Sequence, residues 1–234
     1  DLSTLKLKDN KLHIGANITF SDLIKSEIVQ KNIPLIVEMS KTVACVGIRN
    51  RATIVGNICS AVPSLDSAPL LLAFEAMVKV CSKTEKREIS IQDLFKAPKK
   101  TFLNTNEIVT EIIIPLPEKK YYGCWLKLGR YRGEDLAQAG TAILAMDDND
   151  YRIAFCAVGP IPKRAQNMEA ILKGKPITDE LISQVKALLE KEISPISDIR
   201  ASKEYRLHIV KTMIERGLNR LKTQKCSYSE ILGG

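Results

Sequence analysis

Histidine is almost absent from this chain: His13 and His208 are the two in 234 residues. Neither has a Cys, Asp or Glu at metal-ligand spacing, so both read as structural and the sequence offers no metal centre of its own. The six cysteines (Cys45, Cys59, Cys81, Cys124, Cys156, Cys226) stand singly, and there is no C-x-x-C. Each lies in or beside an apolar segment, which points to buried free thiols and a reducing cytoplasm. No apolar run approaches the ~18 residues that would span a bilayer. The start, "DLSTLKLKDN", has neither an initiator Met nor a signal-peptide pattern and reads as a chain entered part-way. Long basic blocks and interleaved aromatic platforms are also missing. The net charge of +8 from 35 Lys and Arg against 27 Asp and Glu is therefore read as a solvated basic surface rather than a nucleic-acid footprint. A scattered basic surface remains, suited to meeting anionic ligands or acidic protein partners.

What is present is ordinary for a soluble globular chain: 45 % apolar and 26 % charged residues, in a length that supports one large domain or two small ones. In the first half "KLHIGA" alternates as a strand, with His13 facing outward. "TFSDLIKS" opens a helix with Thr19 and Asp22 spaced as a capping box. "PLIVEMSKTVA" is a helix opened by Pro34, and an apolar helix is expected over Pro69–Met77. "AMVKVCS" alternates as a strand, "ISIQDLF" is expected as a short helix, and "NEIVTEIIIPL" is a strand closed by Pro115 and Pro117.

The segment "PLPEKKYY" marks a change of character and sets the domain boundary, giving units 1–119 and 120–234. Beyond it, "YGCWLKLGR", "AQAGTAILAM" and "YRIAFCAVG" are strands, the last two joined by a "DDND" turn. Three helices close the chain. One runs near Arg164–Lys173 and stops at Gly174. The next begins at Thr178 and buries Leu181, Val185, Leu188 and Leu189. The third lines up Leu207, Val210, Ile214, Leu218 and Leu221 on one face. Three antiparallel strands and three helices predict a small α+β domain.

The stretch Ala52–Leu71, "ATIVGNICSAVPSLDSAPLL", carries the chemistry. Gly56 lets a ligand approach the main chain, and N–H groups from Thr53 to Asn57 could converge on phosphate oxygens. Thr53, Asn57 and Ser60 add donors, and a buried Asp66 suits a ribose diol. Together these describe a nucleotide cofactor. The plainer alternative, favoured by these residues alone, is a Gly-containing turn with Asp66 as N-cap of the next helix.

The longer segment "IRNRATIVGNICSAVPSLDSAPLLLAFEA" resembles the flavin subunit of molybdenum hydroxylases. That family's pattern runs I-R-N-x-x-T/S-x-G-G-N-I, then Ser or Thr three residues after the Asn, then Asp-x-x-P. The resemblance continues in "NEIVTEIIIP", "WLKLGRYRGEDLA" and "RASKEYRLHI", covering nearly the whole chain in order. "GNIC" and "RASKEYRLH" place it nearest the bacterial xanthine dehydrogenase branch. The implied fold is α+β. It begins with an FAD-binding α/β domain of the vanillyl-alcohol-oxidase/reductase type (its second subdomain). A C-terminal domain of the CO dehydrogenase flavoprotein type follows, with a three-stranded antiparallel sheet and three helices.

By position, the resemblance implies that the backbone of Ala52, Thr53, Ile54, Val55 and Gly56 wraps the FAD pyrophosphate. Asn57 and Ser60 would bond phosphate or ribose oxygens and Asp66 the adenosine ribose. Ile108 would touch the cofactor through its backbone, Leu126 and Lys127 would lie beside the flavin ring, and Asp135 would lie near the flavin and nicotinamide site. Lys127 read without the resemblance is equally a snorkelling lysine at a strand edge. Val55 replaces the first glycine of the family's Gly-Gly, and "LGRYRGEDLA" is longer than usual between Lys127 and Asp135. The family's other glycine loop, an A-G-G-T-D-L-like segment, would precede residue 1, so one small subdomain is expected to be missing and FAD binding by these residues alone to be weak or absent.

The implied function is electron transfer. The chain would take electrons from 2Fe–2S clusters on an iron–sulfur subunit, fed by a molybdopterin subunit, and pass them through FAD to NAD or another acceptor. No side chain of this chain is assigned as a catalyst. Two alternatives stand beside it: a flavin-free interaction or assembly module, and a stand-alone FAD reductase of the same superfamily.

Overall fold

A computed structural model of the chain describes residues 2–131 and 135–232, with side chains described through Gln224. The chain opens with the hairpin β1 (Leu5–Lys8) and β2 (Lys11–Gly15). Six short helices follow: α1 (Phe20–Lys25), α2 (Glu27–Asn32), α3 (Pro34–Lys41), α4 (Val46–Arg49), α5 (Ile54–Cys59) and α6 (Ser67–Ala73). Then come β3 (Met77–Cys81), β4 (Lys86–Ser90), the ribbon β5 (Phe95–Ala97) and β6 (Lys100–Thr101), and β7 (Ile108–Pro115). Strands β1-β2-β7-β3-β4 form one antiparallel sheet in that order. Its centre is β7, whose Ile112 and Ile114 are fully buried beside Leu12 and Ile14 of β2. His13 lies on the opposite, polar face, where its Nδ1 meets Glu111 Oε1 at 2.5 Å and Lys79 holds the other carboxylate oxygen at 2.9 Å.

The second half begins with the strands β8 (Tyr121–Leu128), β9 (Ala139–Met146) and β10 (Tyr151–Cys156), as the sequence predicts. A two-residue strand β11 (Lys163–Arg164) joins the edge, and the order is β11-β10-β9-β8. After it come α7 (Gln166–Leu172), α8 (Asp179–Ala187), α9 (Leu189–Glu192) and α10 (Lys203–Leu232). Gly174 takes φ 73 just after α7, the left-handed conformation that glycine adopts without cost. Thr178 caps α8 by accepting from Leu181 N at 3.2 Å. α7 has no cap of its own, and Glu192 of α9 supplies one by accepting from Asn167 N at 2.9 Å.

β9 is buried along its whole length because it lies between two helical layers. Ala142, Leu144 and Met146 face the core shared with α3, α6 and the first sheet, whereas Ala139, Ile143 and Ala145 face the core built with α7, α8 and α10. One helical layer, α1–α6, therefore serves both sheets.

Several local expectations are met. Thr19 and Asp22 form the capping box of α1, with Asp22 N donating to Thr19 Oγ1 and Thr19 N to Asp22 Oδ2. Pro34 opens α3 at a position where its missing N–H leaves nothing unpaired. The five cysteines with described side chains are free thiols, but only Cys124 and Cys156 are buried as expected; Cys45, Cys59 and Cys81 are half-buried, and Cys226 lies outside those residues. Leu181, Val185 and Leu189 are buried, whereas Leu188 is only half-buried at the break between α8 and α9.

Other expectations are corrected. The apolar helix spans Ser67–Ala73 rather than Pro69–Met77, since Glu75 takes φ 55 and ends it, freeing Met77 to begin β3. The segment expected as the helix "ISIQDLF" divides instead. Ile89 and Ser90 finish β4 opposite Val78 and Met77, and only Ile91–Asp93 turns, as a 3₁₀ helix capped by Ser90. No helix among the described residues is long and apolar enough to cross a membrane.

Candidate cofactor site

The segment predicted as a bare phosphate turn is instead the start of a helix. Thr53 is the N-cap of α5, its Oγ1 accepting from Gly56 N at 2.9 Å, and Asn57 N donates to Thr53 O at 2.9 Å. Of the N–H groups expected to converge on a ligand, those two are already used. Gly56 is exposed and its φ is not positive; a Cβ there would sit 2.9 Å from Thr53 Oγ1. Its role is to keep the mouth of α5 bare. That mouth is pinned by α1: Phe20 N donates to Ala52 O at 3.0 Å, and Thr19 bridges Thr53. Ile54 and Val55 point into the core. Asn57 Oδ1 accepts from Ser67 Oγ at 2.6 Å, linking α5 to α6, and Ser60 Oγ donates to Asn57 O at 2.7 Å in the last turn of α5.

Asp66 stands at the N-cap position of α6, yet its side chain makes no capping bond. The plain reading of it as a helix cap is therefore overturned. Its Oδ2 instead receives Lys127 Nζ at 2.6 Å, from β8 of the second sheet. The residue is 7 % exposed, and its second oxygen, Oδ1, is buried without a partner. Burial pushes the Asp66 carboxyl up to about 6, while the Lys127 ammonium works in the opposite direction. Lys127 also donates to Thr42 O at 2.8 Å, just past α3. The snorkelling alternative for Lys127 fails too, because its side chain is only 10 % exposed.

Three further predicted residues are not brought into that contact. Leu126 points to the other face of β8, into the core shared with α10. Alternation thus separates its side chain from Lys127, and it could meet a ligand near Lys127 only through its backbone. Ile108 begins β7 opposite Cys81 and is 60 % exposed. Asp135 folds back so that its Oδ2 accepts from Arg130 N. Residues 132–134, inside the "LGRYRGEDLA" segment, lie outside the described residues.

Sequence reasoning missed Thr42, Ser67 and Trp125. Trp125, 4 % exposed, donates from Nε1 to Thr42 Oγ1 at 3.0 Å and shares a face of β8 with Lys127. No motif marks Thr42 in "SKTVACVG"; the one available signal was Trp125, the chain's single Trp, two residues before Lys127.

A buried carboxylate with one free oxygen, beside a helix mouth kept bare by glycine, fits a ligand that carries hydroxyl and phosphate groups. Comparisons with known proteins identify the family. Residues 1–117 match the FAD binding domain in molybdopterin dehydrogenase, and residues 126–221 match the CO dehydrogenase flavoprotein C-terminal domain. The chain belongs to the family of FAD-binding medium subunits of molybdenum hydroxylases. It is 30 % identical over 214 residues to the xanthine dehydrogenase FAD-binding subunit of Escherichia coli, covering 89 % of this chain and 73 % of that protein. It is 31 % identical over 216 residues to the glyceraldehyde dehydrogenase medium chain of Sulfolobus acidocaldarius, covering 91 % and 76 %. The solved carbon monoxide dehydrogenase of Hydrogenophaga pseudoflava superposes with a TM-score of 0.89 at 31 % identity, over 94 % of this chain and 78 % of that one.

Proposed function

We propose that the chain is the electron-transfer subunit of a xanthine dehydrogenase-like enzyme, receiving electrons from iron–sulfur clusters on one partner subunit, fed by a molybdopterin subunit, and passing them through FAD to NAD or another acceptor. Bound FAD would supply the exchange between one-electron and two-electron carriers. The chain's own residues hold and orient it. The units are taken as 1–119 and 120–234, and the reducing cytoplasm is the compartment.

The carrying observation is the buried Asp66–Lys127 pair with its unpartnered oxygen. A carboxylate held in a poorly solvated position is costly, and a ribose hydroxyl donating to Oδ1 would satisfy the oxygen that the protein leaves open. The backbone of Ala52–Gly56 would lie along the pyrophosphate. Asn57 and Ser60 would turn to phosphate or ribose oxygens, and Ile108 and Leu126 would contribute backbone contacts. Lys127 would place positive charge beside the flavin, with Asp135 near the acceptor side.

FAD titration of the purified chain, and of the chain extended at its N-terminus by a glycine-loop segment, followed by the visible spectrum and by quenching of flavin fluorescence, tests the reading. Saturable binding by the extended chain that is lost in Asp66→Ala is expected. An extended chain that takes up no flavin under any condition would overturn it.

A further inference from the structure

The polar network around Thr42 joins the two halves of the chain at one residue. Thr42 closes α3 and offers two oxygens to β8. Its carbonyl accepts Lys127 Nζ at 2.8 Å, and its hydroxyl accepts Trp125 Nε1 at 3.0 Å. The hydroxyl is fixed as an acceptor for Trp125 because its own proton goes to Met39 O at 2.7 Å. The carbonyl is one that a helix end otherwise leaves unpaired, and a cation there is favoured by the helix dipole. Lys127 then bridges from this helix end to Asp66 at the start of α6. The Trp125 ring has room for this position because residue 140 is glycine: a Cβ there would lie 2.8 Å from the ring.

We infer that Thr42 and Trp125 are positioning residues that hold Lys127 on Asp66 across the joint of the two sheets, and so set the charge state in which Asp66 meets the cofactor. The inference rests on the cofactor reading above for its second half only. Trp125 and Lys127 project from the same face of β8, so fixing the indole fixes the register of the ammonium. Releasing Thr42 from Trp125 would loosen the α3–β8 contact that seats Lys127, whose Nζ is shared between Thr42 O at 2.8 Å and Asp66 Oδ2 at 2.6 Å. The titratable groups facing Asp66 are Lys127 from β8 and Cys156 from β10, and burial holds the Cys156 thiol well above its ordinary range, so it stays neutral. Burial is the larger influence on Asp66, and the Lys127 ammonium, whose distance Thr42 and Trp125 govern, opposes it.

The test uses the single Trp as its reporter. Trp125 emission is followed against pH in the purified, FAD-free chain, and FAD affinity is then measured by flavin fluorescence. Three proteins are compared: wild type, Thr42→Val, which keeps shape but removes the acceptor, and Thr42→Ser, which restores it. Thr42→Val should raise the pH midpoint of the emission change and weaken FAD binding about tenfold, while Thr42→Ser does neither. Trp125→Phe, read by flavin fluorescence alone, should weaken FAD binding to a similar degree. An unchanged emission midpoint in Thr42→Val overturns the inference, even if the melting temperature falls, since a merely structural threonine would lower stability without moving the midpoint. A raised midpoint in a chain whose wild type takes up no FAD, even when extended at its N-terminus by a glycine-loop segment, supports the positioning role and overturns the cofactor reading instead.

Discussion

Arg164 Nη1 lies 2.7 Å from Glu75 Oε1 and ties the short edge strand of the second sheet to the turn after α6. Arg152 reaches the other oxygen of Glu75 at 3.0 Å and also donates to Ala73 O at 3.2 Å. On its far side Arg164 forks onto Glu169, at 3.0 and 2.8 Å, and Glu169 Oε1 also accepts Ile153 N at 2.8 Å. The two carboxylates differ in one respect that decides their worth: the Glu75 side chain is 47 % exposed and that of Glu169 is 11 % exposed.

The two glutamates should therefore separate by mutation. Glu169→Gln takes from Arg164 its buried carboxylate, leaving only the half-exposed Glu75, and should cost about 3 kcal/mol in urea unfolding. Glu75→Gln breaks solvent-screened pairs and should cost under about 1 kcal/mol. Equal losses would mean that Glu75 is as well shielded as Glu169.

Asp66 gives a pH dependence of definite sign. Its carboxyl is raised from 3.8 to about 6 by burial, so the folded state holds the proton more tightly than the unfolded chain does. The stability this contributes is full below about pH 3.8 and is lost as pH rises through about 6. Asp66→Asn removes that slope. Between about pH 4 and about pH 7 the wild type should lose on the order of 3 kcal/mol relative to the variant. Parallel stability curves would show that the carboxyl ionises as it does in water.

How far the sequence carries to this site depends on whether a feature is local. The strands β7 through β10 and the caps at Thr19 and Thr178 follow from period-2 alternation and side-chain oxygens placed before apolar runs, which act within a few residues. The opening of α5 is not legible locally because Gly56 and Asn57 are turn residues by habit. The bridge from Thr19 and the cap at Thr53 outweigh that habit here. The edge strand β1, "LKLK", does alternate, but over four residues only and with none fully buried, a run too short to stand out as a strand. The Asp66–Lys127 contact spans 61 residues and depends on α6 packing under the second sheet, a long-range arrangement that no local spacing encodes.

Gly140 tests the packing behind the site. A Cβ at that position would lie 2.5 Å from Cys156 Sγ and 2.8 Å from the Trp125 ring, in a fully buried strand. Gly140→Ala should destabilise by about 1–3 kcal/mol and shift Trp125 emission to longer wavelength as the indole is pushed off Thr42. Unshifted emission with normal stability would show that the sulfur and the ring move aside freely.

Adjacent residues on β8 offer the sharpest contrast, because alternation sends their side chains to different layers. Lys127 faces Asp66 and Thr42, whereas Leu126 faces the core made with α10. Lys127→Met keeps the side-chain bulk but removes the charge, leaving Asp66 buried with no cation. FAD affinity should fall at least tenfold, the scale of a lost charge-assisted hydrogen bond. Leu126→Ala removes a half-buried apolar side chain and should cost about 1–2 kcal/mol, below the range for a fully buried leucine. Its FAD affinity should match the wild type, since any contact it makes with the cofactor would run through its backbone. Both variants need only a flavin titration and a denaturation curve. If Leu126→Ala lost flavin while Lys127→Met kept it, the cofactor would lie on the α10 side of the sheet and Asp66 would have no part in holding it.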